Sequence, residues 1–141
     1  MQRKGALFAV CFFAGLLGAL ANSLAAWLAG SWGLTTTAGV AMTPELTKTW
    51  LYPRLVWGGV WGLAYFFVVA SPRHRRRWVR KGLWISLLPS AVQLYYVFPY
   101  HTPFGTLGLG LGALTPLFVL MFNGIWGFFT GLFTRMMWGR G

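Results

Sequence analysis

Three carboxamides stand inside long apolar stretches of this chain: Asn22, Gln93 and Asn123, accompanied by Ser23, Ser90 and Tyr96. A carboxamide carries donors and an acceptor. In an apolar solvent each needs a partner, so two readings compete. The six residues act as interhelical glue, at about 0.6 kcal/mol per hydrogen bond. Alternatively they converge into a shared site for a small polar or lipidic ligand.

Stronger chemistry is poorly supplied. The chain has one acidic residue, Glu45, and no Asp. A Ser-His-Asp triad is therefore excluded, and a proton relay or cation antiport through an intramembrane carboxylate has no carrier. His74 and His101 fall in opposite loops, and the single cysteine, Cys11, lies in the first apolar stretch. Neither a bis-histidine haem nor a closed zinc site follows from that placement. We therefore expect a non-enzymatic protein with no cofactor and no metal.

The elements that must position the amides are apolar helices. Of 141 residues, 57% are hydrophobic and 9% charged, against roughly 25% charged in a soluble domain. Residues 5–44, 55–72 and 82–134 contain no Asp, Glu, Lys or Arg. Runs of this length match a bilayer core, which takes about 20 residues per helix, and they lack the alternation of barrel strands. The expected fold is an all-α integral membrane protein, a single four-helix transmembrane bundle. Its spans cover about 5–30, 53–70, 82–98 and 115–134. Pro53 suits the first turn of the second span, Ser71-Pro72 stops it, and Thr115-Pro116 offers an N-cap hydroxyl before the fourth. Pro89 predicts a kink in the third. The first run also resembles a signal peptide, with a small-x-small site at Ala19-Leu20-Ala21. It continues too far for an h-region, so we expect a retained helix.

Charge sets the orientation. Arg3, Lys4, Arg73, Arg75, Arg76, Arg77, Arg80, Lys81, Arg135 and Arg140 would share one side, with only Lys48 and Arg54 opposite. Ten against two predicts cytoplasmic N and C termini, in what we read as a bacterial inner membrane. The net charge of +11 then meets anionic headgroups rather than nucleic acid, chiefly through Arg73, Arg75, Arg76, Arg77, Arg80 and Lys81. In the external loop 31–52, Thr43-Pro44-Glu45 begins a short interfacial helix near 44–51. The glycine-rich loop 100–113 reads equally as a re-entrant segment or a surface turn.

Small residues mark the packing faces. Ala14, Gly18, Asn22, Ala26 and Gly30 recur every fourth residue, as do Gly58 and Gly62, and Asn123, Gly127 and Gly131. Such stripes allow close helix approach, within the chain or against another subunit. An internal echo pairs Trp57-Gly58-Gly59-Val60-Trp61-Gly62 with Phe122-Asn123-Gly124-Ile125-Trp126-Gly127. It fits two parallel hairpin repeats, with chance similarity in a Gly- and Trp-rich chain as the competitor. The leading expectation is a structural or accessory subunit assembling through its stripes, as a homo-oligomer or with another membrane protein. The alternative is a small oligomeric transporter or channel with its site near Asn22, Gln93 and Asn123.

Overall fold

The computed structural model describes residues 4–40, 46–69, 78–101 and 105–138. Every regular element among them is helical: α1 (Lys4–Ser31), α2 (Leu34–Thr37), α3 (Lys48–Val69), α4 (Trp78–Ile85), α5 (Leu87–Val92), α6 (Phe98–His101) and α7 (Thr115–Trp138). Two helices are long and apolar enough to cross a membrane. They are Gly5–Ser31, with a peak mean hydropathy of 2.0, and Thr115–Trp138, at 1.6.

The remaining helices differ from the expectation in instructive ways. α3 begins at Lys48 and runs through Pro53 without a break. Of the interfacial helix expected over 44–51, residues 44 and 45 lie outside the described residues. Leu46 and Thr47 are non-helical, and Lys48–Leu51 open α3 itself. Pro53 stands past the first turn, where Leu51 N already donates to Thr47 O, so the N–H it lacks removes one intrahelical bond, to Thr49 O. From Trp78 to His101 the chain is helical except at Ser86, through α4, α5, a π-helical turn at Gln93–Val97 and α6. This replaces a uniform third span, and its cause is local. Pro89 cannot donate to Ile85 O, and two hydroxyls beside it bond back to carbonyls of the same segment. Ser86 Oγ donates to Leu83 O at 2.6 Å and Ser90 Oγ to Ser86 O at 2.9 Å. Thr115 is the first helical residue of α7 rather than its N-cap, and its hydroxyl donates to Gly112 O at 2.8 Å. The glycine-rich segment holds a 3-10 turn at Thr106–Gly108, and its Gly112 packs against Gly39 and Val40.

Glycines decide which helices touch. On α1, Gly15 faces Gly58 and Gly62 of α3, while Gly18 faces Trp126 and Thr130 of α7. On α4, Gly82 faces Gly127, and Gly131 faces Trp78 and Val79. A Cβ at Gly62 would lie 3.1 Å from Gly15 Cα and collide with the carbonyl of Cys11. Backbones this close gain dispersion contacts along their length. The helices therefore run in the order α3, α1, α7, α4, each antiparallel to the next. α3 and α4 meet chiefly at one end, where the buried Tyr65 donates from its hydroxyl to Trp78 O at 2.8 Å. The contact of Gly15 with Gly62 recurs as that of Gly82 with Gly127, 67 and 65 positions later. The stripes on α1, α3 and α7 are thus buried inside the chain: Ala14, Gly18, Asn22, Ala26 and Gly30, Gly58 and Gly62, and Asn123, Gly127 and Gly131.

Two apolar clusters fill the ends of the bundle. Leu7, Cys11, Tyr65, Phe66, Val69 and Trp78 form one, and Ala26, Ala29, Val40, Phe118 and Phe122 the other. Gly62→Ala should lower the unfolding free energy by about 1–3 kcal/mol, because the added methyl meets backbone that cannot yield. Gly124→Ala, with nothing within 4 Å of its Cβ position, should be neutral or stabilising by up to about 1 kcal/mol. Denaturant titration in mixed micelles measures both.

Candidate functional site

Between the two apolar clusters lies a layer of polar side chains contributed by every long helical segment. Asn22 Nδ2 on α1 donates to Asn123 Oδ1 on α7 at 3.4 Å. Asn123 Nδ2 donates to Gln93 Oε1, in the π-helical turn, at 3.3 Å. On the other flank, Arg54 of α3 donates from Nε to Ser23 Oγ at 2.9 Å and from a terminal nitrogen to Asn22 Oδ1 at 3.2 Å. The three amides, Ser23 and the guanidinium form one continuous chain. Counted at 1.5 Å per residue, Asn22 and Arg54 lie roughly 7 Å from the midpoints of their helices. By the same count Gln93 and Asn123 lie roughly 5 Å from theirs. All four displacements point toward the end that carries Ser31, Lys48, His101 and Thr115.

A cleft of about 530 Å³ opens beside this layer. Its polar side is Arg54, Asn22, Ser23, Gln93 and Asn123, and its apolar walls include Trp57, Trp61, Pro89, Val92, Val97 and Trp126. The cause is the packing order. α5 and the π-helical turn lean on α7 rather than on α3, so α3 and the 78–101 segment diverge away from the Tyr65–Trp78 contact. The cleft is that divergence. Pro53, Trp57, Val92 and Tyr96 stand exposed at its rim, on the outer side of the bundle. Trp126 fixes its floor, donating from Nε1 to Gly15 O at 3.0 Å and Gly58 O at 3.3 Å. The volume falls in the range of small-molecule pockets, roughly 300–1,000 Å³.

The structure therefore brings together Asn22, Ser23, Gln93 and Asn123, and puts Tyr96 at the rim. Ser90 is a correction. It is buried, its hydroxyl is used within its own helix on Ser86 O, and it does not line the cleft. Gly18, Gly62, Gly127 and Gly131 lie away from the cleft and serve helix contact, whereas Gly58 does both. Of the basic run, Arg80 is exposed and Lys81 half-buried on α4, while Arg73, Arg75, Arg76 and Arg77 lie outside the described residues.

Arg54 is the residue that sequence reasoning missed. Counted only as a cation of the external side, at the start of the second span, it lies in the second turn of α3 and reaches across to α1. Its Cζ sits 4.7 Å from the ring centroid of Trp50, a cation–π contact that keeps the guanidinium lateral. The available signal was a lone arginine directly after Pro53, one turn from Trp50 and three residues before Trp57.

No known protein family matches the chain, and no curated protein or solved structure resembles it.

The layer predicts an order of costs. Asn22 serves both Arg54 and Asn123, whereas Gln93 ends the chain. Asn22→Leu should cost about 1–3 kcal/mol, since it strands a charged donor, and Gln93→Leu only about 0.6 kcal/mol. Equal losses in unfolding free energy would show that the bonds do not form one chain.

Proposed function

We propose that the protein is a four-helix membrane-spanning bundle whose side cleft binds a small ligand, in the manner of a non-catalytic binding or transport protein. The observation that carries this reading is the cleft itself. It reaches the three amides and Arg54, and it is open at its rim.

The membrane part rests on the outward faces of the two segments with lower hydropathy. α3 exposes Val56, Trp57, Val60 and Phe67, and residues 78–101 expose Leu83, Trp84, Leu87, Leu88, Val92 and Tyr95. Apolar surface on this scale suits lipid rather than water. The distribution of Lys and Arg orients both termini toward the cytoplasm, in a bacterial inner membrane with anionic lipid beneath. The recurring Gly15–Gly62 and Gly82–Gly127 contacts support two parallel hairpin repeats.

The accessory-subunit reading gives way because its assembly stripes are consumed inside the chain. A second copy or another membrane protein would have to use other surfaces. The two readings separate by access to the cleft. In a Cys11→Ala background, Val92→Cys and Val97→Cys should react with methyl methanethiosulfonate in the folded protein. Ala26→Cys, at a buried position in the apolar cluster beside α7, should not. Unreactive cleft cysteines would point to a closed bundle and return the amides to the role of glue.

A further inference from the structure

Arg54 raises a question of charge that the neutral layer does not answer. An arginine costs about 2.5–3.5 kcal/mol at the centre of a membrane helix on the lenient insertion scale, and less toward the end where Arg54 stands. Its partners here are a hydroxyl, a carboxamide oxygen and an aromatic face, all without formal charge. The chain's one acidic side chain, Glu45, lies outside the described residues, so no carboxylate stands opposite Arg54 among the described ones. The guanidinium has five N–H donors. Two are directed to Ser23 and Asn22, and the residue lines the cleft. Held from one side by α1 and from another by Trp50, the guanidinium is oriented before any ligand arrives. Planar donors of this kind pair with the two oxygens of a carboxylate or phosphate, giving charge-assisted bonds about twice as strong as neutral ones.

The rest of the cleft specifies what the anion is attached to. Beyond the polar layer its walls are Trp57, Trp61, Val92 and Val97. These surfaces gain from burying hydrocarbon, at about 25 cal/mol per Å². The rim lies between α3 and α5, on the flank of the bundle rather than at its end. On the membrane reading above, on which this inference rests, that flank faces acyl chains. We propose that the cleft binds an anionic amphiphile, with its acid group on Arg54 beside Asn22 and its tail between α3 and α5. The amides of Gln93 and Asn123 take the remaining polar atoms of the headgroup.

Saturable binding of radiolabelled oleate to the full chain in phosphatidylcholine nanodiscs tests this directly. Unlabelled oleate and oleoyl lysophosphatidate should compete, and oleyl alcohol, with the same tail and no charge, should be about tenfold weaker or worse. Acetate and inorganic phosphate, charged but without a tail, should not compete at matched concentration. Arg54→Gln should weaken oleate about tenfold, with partial recovery in Arg54→Lys, which keeps the charge but not the fork. The alcohol comparison uses the unaltered protein, so it stands even if Arg54→Gln fails to fold. Equal competition by oleyl alcohol, or an unchanged affinity in folded Arg54→Gln, would overturn the anion assignment. Competition by acetate or phosphate equal to that of oleate would overturn the tail, leaving a site for a soluble anion. Absence of oleate binding with reactive cleft cysteines would overturn the amphiphile alone. The same absence with inert cysteines would remove the cleft reading as well.

Discussion

The hydrogen bonds from Arg54 to Asn22 and Ser23 are the constraint on which the interior of this bundle depends. A guanidinium placed among apolar helices must find its hydrogen-bond partners on the neighbouring helices, because an unpaired buried charge is costly. Asn22 can accept from Arg54 only by turning its other end toward α7, where Asn123 must accept in turn. Asn123 then faces Gln93, which ends the chain in the π-helical turn. One cation thus dictates the orientation of three amides on three other segments. The apolar clusters above and below pack against a layer whose geometry is already fixed.

The cleft follows from an inequality between two interfaces. If α1 and α3 correspond to the 78–101 segment and α7, the α1–α7 contact has its counterpart in α3 against α4 and α5. The first is closed along its length by Gly18, Trp126 and Thr130, whereas the second is held near Tyr65 and Trp78. Pro89 stands 67 positions after Asn22, and Val119, buried, 65 after Arg54. The polar site is therefore built once. Where one hairpin has Asn22 the other has Pro89, in a segment that packs on α7 rather than on α3, and the cleft is the space left between them.

Much of the scaffold was legible in the sequence, because length and hydropathy are local properties. The runs that become α1 and α7, the proline kink and the packing stripes were all visible in residue order. The convergence of Asn22, Gln93 and Asn123 was visible as a possibility, since isolated amides in apolar stretches need partners. The cleft beside the amides was not legible, because the divergence of α3 from α5 comes from which helix each segment packs on. Ser90 misled because a helical hydroxyl has two uses, and here it bonds back to Ser86 O, one turn earlier in its own segment. Arg54 was hidden because a cation at the start of a span was counted for orientation alone. α3 begins at Lys48 rather than Pro53, which places that cation a turn deeper in the helix.

The central claim is that Arg54 and Asn22 act as a unit, and a double-mutant cycle measures it. Arg54→Met and Asn22→Leu, made singly and together, are compared by unfolding free energy in mixed micelles. A hydrogen bond to a charged group contributes about 1.5–3 kcal/mol, so the account predicts a coupling of about 1 kcal/mol or more, with the double mutant less destabilised than the sum. Additivity to within about 0.3–0.5 kcal/mol, the behaviour of independent sites, would contradict it.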